Sequence, residues 1–486
     1  MMTKPSPLRV LFMASEADPF VKIGGLGDVA GSLPIAIRQL PNENIDIRLV
    51  IPYHGVISRN LSVNHVASFD VAHSSRPYRT EVFQTEQNGM PVYLVSGQPI
   101  PPSGPVYSED LSFDAHKFTF FSLAALELAS ALGWQPHIIH ANDWHTAAAI
   151  YAISLRREKE LFFKDVKTIL SVHNLPYLGM GSAIPLGAFG LPPAIGMRLP
   201  DWATHVSLPL GLLAADRIVA VSPTYAHEIL TPEFGSGLHS FLRSRQQAIS
   251  GILNGIDIQR WDPATDIHIK ARFSLEDFAP RNQNKIALQQ EFRLPAQETT
   301  PLLVMITRMD YQKGVDIAIE ALRQLTDLRW QAILLGTGQF ELEAACRSLE
   351  QDFPDRVRAA IRFDASLSRR MYAGADMILI PSRYEPCGLT QMIGMRYGCV
   401  PVARATGGLR DTIEDGEQGN GFLFANAAAQ SLADTLRRAI NIHIRQGQWE
   451  AMQRRGMSQD FSWQRSAIEY VKLYHDLIPT PKEDKI

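Results

Sequence analysis

The feature that most limits what this chain can fold into is a repeated alternation of short apolar runs with amphipathic stretches. In the first half the runs are Val10–Ala14, Ile47–Ile51, Val92–Val95, Ile138–Ala141, Thr168–Val172 and Ile218–Val221. In the second they are Leu302–Ile306, Ala332–Leu335, Ala359–Phe363, Met377–Ile380 and Val400–Ala403. Each is nearly continuous in apolar residues, as parallel strands buried on both faces are. Between them, Phe118, Phe121, Ala125, Leu128 and Leu132 keep the three-four spacing of one helix face, and so do Ala318, Ala321, Leu322 and Leu325. Strand–helix alternation through both halves predicts an α/β chain with two doubly wound parallel sheets. The expected domains are 1–250 and 251–465, divided after the polar stretch Arg243–Ser250. A C-terminal helix at 466–486 is expected to cross back to the first domain. Asp262–Gln297, charged and irregular, reads as a peripheral insertion.

Composition narrows the function classes. With 45% apolar residues among 486, the chain can offset its conformational entropy, which a disordered chain cannot. Three cysteines, Cys346, Cys387 and Cys399, are too few for a disulfide-stapled secreted domain. Lys and Arg number 47 against 50 Asp and Glu, a net charge of −3, so no nucleic-acid partner is expected. No run approaches the ~20 apolar residues of a membrane span, and Arg9 interrupts the first apolar stretch, so neither a membrane partner nor export is expected. The expected location is cytoplasmic.

In doubly wound sheets, ligands bind beyond the carboxyl ends of the strands. After the first run comes Lys22-Ile23-Gly24-Gly25-Leu26-Gly27-Asp28, whose glycines, helix start and lysine outline a phosphate cradle. It is neither a dinucleotide fingerprint nor a P-loop. Gly407-Gly408-Leu409-Arg410-Asp411 echoes it in the second half. Arg308 and Lys313 follow the run Leu302–Ile306, where a forked and a compact cation could clamp a diphosphate. After Met377–Ile380 come Glu385, placed for sugar hydroxyls or developing positive charge, and Cys387-Gly388-Leu389-Thr390, a helix start able to hold an anion. That helix start would favour thiolate at Cys387, yet no histidine lies near it in sequence, so a nucleophilic role is the weaker reading. His140-Ala141-Asn142-Asp143-Trp144-His145 and His173-Asn174 end two strands of the first half and make a sugar-type lining. His140 and His145 lack the spacing of a helical zinc motif, so no metal is expected.

Taken together, Lys22–Asp28, His140–His145, His173-Asn174, Asn254-Gly255-Ile256-Asp257, Arg308 with Lys313-Gly314, and Glu385–Gln391 resemble the bacterial glycogen synthase and plant starch synthase family. The motifs run in family order from about residue 8 to residue 465. The resemblance implies two Rossmann-like domains facing an interdomain cleft, the GT-B arrangement, with the acceptor side in the first domain and the nucleotide-sugar side in the second. It implies transfer of α-glucose from ADP-glucose to the nonreducing 4-hydroxyl of an α-1,4-glucan (glycogen, starch or maltooligosaccharide), with retention of configuration and neither metal nor cofactor. By position it implies that Glu385, Arg308, Lys313, His173 and Asp143 carry the chemistry. Lys22, Gly24, Gly25, Arg308, Lys313, Glu385, Cys387, Gly388, Leu389 and Thr390 would hold the nucleotide sugar. Asp143, Trp144, His173, Asn174 and Asn254 would line the acceptor and glucose pocket. Two positions depart from wider patterns: Ile23 stands where bacterial members usually carry Thr, and Ile393 where the broader retaining superfamily often carries a second Glu.

No carboxylate is evidently poised as a covalent nucleophile, so same-face displacement, with the departing diphosphate taking the acceptor's proton, is the expected mechanism. Rival readings are a two-Rossmann oxidoreductase, a phosphorylase or sucrose-forming transferase, and a glucan-binding protein without catalysis. The first lacks its glycine fingerprint. The last is disfavoured by intact Lys22, Arg308, Lys313 and Glu385.

Overall fold

The computed structural model describes residues 6–58 and 60–478. The end of the expected C-terminal helix, 479–486, lies outside the described residues. The chain divides into two compact units, one taking the described residues of Met1–Gly255 and Trp463–Ile486, the other Ile256–Ser462. These limits fall a few residues from the sequence-based divisions at 250 and 465.

The first unit is built on a nine-stranded sheet whose strands are β1 (Leu8–Met13), β2 (Ile45–Pro52), β3 (Asn64–Val71), β4 (Tyr78–Gln87), β5 (Met90–Gly97), β6 (Ile138–Asn142), β7 (Lys167–Val172), β8 (Arg217–Ala220) and β9 (Ile249–Gly251). Their spatial order is β3-β4-β5-β2-β1-β6-β7-β8-β9. From β5 to β9 every neighbouring pair is parallel. β4 runs antiparallel to both of its neighbours. It joins β5 through Asn88-Gly89, both at positive φ, the two-residue turn whose twist suits a hairpin. Strand order reverses beside β1, so the segments after β1 and β6 emerge together at a topological switch point. Val10, Phe12, Ile47, Leu49 and Ile138 form the core under the helix Gly25–Arg38. The helix Trp463–Leu477 packs on that helix and adds Ala467, Tyr470 and Tyr474 to the same core.

The second unit carries six strands, β10 (Leu302–Ile306), β11 (Gln331–Gly336), β12 (Val357–Ile361), β13 (Met377–Ile380), β14 (Val400–Arg404) and β15 (Phe422–Phe424). They lie in the order β12-β11-β10-β13-β14-β15, all parallel. Here the order reverses between β10 and β13, which brings the segments after those two strands together. β12 begins two residues before the expected Ala359–Phe363, and Phe363 is 89% exposed beyond its end.

Asp262–Gln297 is not the peripheral insertion its charge suggested. It contains the helix Arg281–Glu291, and Arg281, Asn284, Lys285 and Gln289 are buried. Arg281 donates to the carbonyls of Ala375 and Tyr397. Lys285 pairs at 2.7 Å with Asp376, which also accepts from the Leu302 N–H at 2.8 Å at the start of β10. These charges are inside because each has a partner there. Among the described residues, no helix is long and apolar enough to cross a membrane.

Candidate active-site residues in the two units

In the second unit, the strand-end residues expected from sequence meet at the switch point. Lys313 closes the short helical turn Tyr311–Lys313, whose N–H is capped by Asp310 at 3.0 Å. Its ammonium reaches both oxygens of Glu385, at 2.7 and 2.9 Å. Ser382 donates to the same carboxylate at 2.8 Å. Lys313, Ser382, Glu385 and Thr390 line a small cavity floored by Met305, Ile306, Leu379 and Ile380. The turn can approach β13 this closely because Gly314, at φ +68°, has no side chain; a Cβ there would lie 2.1 Å from the Pro381 carbonyl.

Arg308 follows the same strand but stands 64% exposed, its guanidinium 3.3 Å from Asp310. Gly388 and Leu389 precede the helix Thr390–Arg396, as expected, and Leu389 is its N-cap. Gln391 fastens that start by donating to the carbonyls of Cys387 at 3.1 Å and Gly388 at 2.9 Å. Gly407 and Gly408, which echo the first unit's glycines, serve a packing role: a Cβ on either would strike the carbonyl of Glu385 or Cys387 at about 2 Å. Cys346 and Cys399 are ordinary buried thiols, and burial pushes Cys346 up to about 12.

The first unit adds detail to one expectation and corrects another. The N–H of Gly24, expected to hold the nucleotide sugar, donates to the carboxylate of Glu16, and so does the N–H of Ile23. Lys22 bonds Asp28 at 2.5 Å. The loop is thus shaped by the protein's own acid, with Gly25 left open. Burial raises the Glu16 carboxyl above its ordinary range, opposed by those backbone donors. Sequence reading missed Glu16, although it follows β1 at the switch point.

Trp144 is the correction. It is buried against Phe118 and His145, and a Cβ on Gly179 would lie 2.7 Å from its ring, so the ring packs within the protein and offers no open face to a sugar. His140, also expected in a sugar lining, is fully buried, bonded to Tyr474 at 2.8 Å and Ser171 at 2.7 Å. It ties the helix Trp463–Leu477 to β6. Among the described residues, no group of three or more His, Cys, Asp or Glu side chains could hold a metal ion.

Asp143, His173 and Asn174 do come together. Asp143 sits at φ +56°, an uncommon conformation for a residue with a side chain, at the head of the helix Trp144–Arg156. Its carboxylate accepts from the N–H of His173 at 2.7 Å and of Asn174 at 3.4 Å. Burial pushes its pKa up to about 7 against the pull of those two donors, and nearby Glu16 adds to the rise. His173 is held neutral by burial, down to about 4. The Oδ1 atoms of Asn174 and Asn254 are buried and find no partner in the protein.

Residues 9–244 match the starch synthase catalytic domain model, and 288–455 match glycosyl transferases group 1. The chain is 41% identical to a glycogen synthase of Anaeromyxobacter sp. (strain Fw109-5), covering 97% of this chain and 99% of that protein. It is 36% identical to a glycogen synthase of Anoxybacillus flavithermus, covering 97% and 98%. Among solved structures, the catalytic domain of starch synthase IV from Arabidopsis thaliana, bound to ADP and acarbose, superposes with a TM-score of 0.86 at 33% identity, over 97% of this chain and 99% of that one. A sucrose-phosphate synthase from Thermosynechococcus elongatus, 18% identical with a TM-score of 0.62 over 96% and 98%, shares the fold. With both family models matched in order and curated relatives aligned almost end to end, the chain belongs to the glycogen synthase and starch synthase family of glucosyltransferases.

Proposed function

We propose that the chain elongates an α-1,4-glucan by transferring glucose from ADP-glucose to its nonreducing 4-hydroxyl, with retention of configuration. The observation that carries this reading is the Lys313–Glu385 pair, set with Ser382 and Thr390 around one cavity at the second unit's switch point. Lys313 and Arg308 take the donor's diphosphate, while Glu385 accepts from glucose hydroxyls. The backbone of Cys387–Thr390 holds phosphate and sugar. In the first unit, Asp143, His173, Asn174 and Asn254 line the glucose and acceptor pocket, and Lys22 with Gly24 and Gly25 borders the donor.

The chemistry is same-face displacement. As the glycosidic bond lengthens, negative charge grows on the leaving diphosphate, where fixed cations are most effective. That diphosphate takes the proton of the attacking hydroxyl. The reaction proceeds without metal or prosthetic group, and the enzyme acts on no nucleic acid and at no membrane. The test is release of ADP or UDP from each nucleotide sugar, compared side by side with a maltooligosaccharide primer after dialysis against EDTA. Primer elongation with ADP-glucose is expected to persist; failure of both donors would remove the proposal.

A further inference from the structure

The hydrogen bonds around Asn142 determine something the strand-end pattern does not carry. Asn142 is the last residue of β6 and is fully buried. Its backbone is held at both ends by one side chain: Thr146 Oγ1 accepts from the Asn142 N–H and donates to the Asn142 carbonyl at 2.8 Å. The side-chain amide lies between Met13 of β1, whose carbonyl oxygen is 2.9 Å from Nδ2, and His173 after β7, whose Nε2 is 2.9 Å from Oδ1. A backbone carbonyl can only accept, so the amide NH2 must face Met13. The amide oxygen then faces His173, and an oxygen can only accept there, so Nε2 must carry the proton. In a neutral imidazole the other nitrogen is then a bare acceptor. Nδ1 makes no hydrogen bond within the protein, and His173 is only partly buried.

We infer that Asn142 is a positioning residue that locks His173 in the Nε2–H tautomer, so that Nδ1 accepts a hydrogen bond from a hydroxyl of the bound glucose. The inference rests on the glucosyl-transfer reading above. It makes His173 a reader of hydroxyl donors, with no part in moving a proton, and places its specificity in a buried amide that touches no substrate. The order of strands makes the lock possible: β6 lies between β1 and β7, so one amide on β6 reaches a carbonyl on one side and the histidine on the other.

Two measurements test it. The first is the imidazole 15N spectrum of histidine-labelled protein at neutral pH, with His173 assigned by its absence in His173→Ala. The expected signature is a protonated Nε2 and an unprotonated Nδ1, turning into a tautomer average in Asn142→Ala. A wild-type signal with the proton on Nδ1, or an Asn142→Ala signal unchanged from wild type, overturns the inference. This readout needs no turnover, so it is independent of whether the transfer reaction itself is correctly assigned.

The second uses a panel of ADP-glucose analogues, each lacking one hydroxyl. For the wild type, one analogue is expected to lose about tenfold in kcat/KM through the missing bond to Nδ1. For both His173→Ala and Asn142→Ala that particular penalty is expected to shrink to near unity, with the other penalties intact. A purely structural role would lower all donors alike. Equal penalties across the panel in wild type and variants would overturn the inference, whereas absence of transfer from intact ADP-glucose would strike the proposed function instead.

Discussion

Replacing Lys313 by Met separates catalysis from stability at a single atom. The substitution keeps the aliphatic stem and deletes the ammonium that lies 2.7 and 2.9 Å from the two Glu385 oxygens. The pair is neither exposed nor sealed, with side chains 20% and 10% accessible. Its loss therefore falls between an exposed pair at under ~1 kcal/mol and a broken buried pair at ~3–5 kcal/mol, at roughly 1–2 kcal/mol, since Ser382 still donates to the carboxylate. The transition state suffers more. Loss of one preorganised partner of a developing charge costs about 3 kcal/mol, or roughly a hundredfold in turnover. The assay pairs ADP release at saturating ADP-glucose and maltooligosaccharide with urea denaturation of the same preparations. The expected outcome is a large fall in kcat beside a small fall in unfolding midpoint. A double-mutant cycle with Glu385→Gln should give a larger coupling in kcat than in stability. Turnover within about threefold of wild type in a folded Lys313→Met protein would refute the diphosphate role.

Three further outcomes follow from the packing. Gly407→Ala puts a Cβ 2.0 Å from the Glu385 carbonyl at φ +44°, so it should lower turnover sharply and cost roughly 1–3 kcal/mol of stability, read by the same two assays; an unaffected kcat would show that Glu385 need not be held there. Asp143, raised from 3.8 to about 7 in the folded chain, gives a contribution fully present below pH 4 and lost as pH rises through 7. Asp143→Asn should flatten the urea midpoint over that window, and an unchanged slope would contradict the burial of its charge. Tyr474→Phe strands His140 Nδ1 and should cost about 1–3 kcal/mol. Amide exchange should then quicken in Trp463–Leu477 and stay constant in the second unit; uniform acceleration would argue against a local tie.

Parallel strands were legible because burial on both faces leaves an unmistakable apolar run, as in Leu302–Ile306 and Met377–Ile380. β3 and β4 were not, since their faces are half-exposed and carry His65, Asp70, Arg79 and Glu81. The Asn88-Gly89 turn was the signal that could have found the hairpin. The strand-end rule picked out Lys313 and Glu385, which meet in the second unit, and Asp143 and His173, which meet in the first. It missed Glu16, whose partners Ile23 and Gly24 are set by the path of the loop after β1, and the role of Asn142, whose partners depend on which strands are neighbours, since β1 meets β6 across well over a hundred residues of sequence. Lys285 and Arg281 misled for a different reason. A charge in sequence looks like surface, and only the three-dimensional partner, Asp376 or a pair of carbonyls, shows that it is interior.

The helix Trp463–Leu477 also sets a timetable. Its Ala467, Tyr470 and Tyr474 complete a core begun by Val10 and Phe12, and Tyr474 meets the buried His140. The unit that leaves the ribosome first therefore cannot close its core until residue 474 has emerged, whereas the core of the unit made in between is complete by Met452. At about 5–20 residues per second, the early strands wait many seconds with apolar surface uncovered. Synthesis order and folding order are thus inverted in this chain, and the first half is the part most dependent on protection while it is being made.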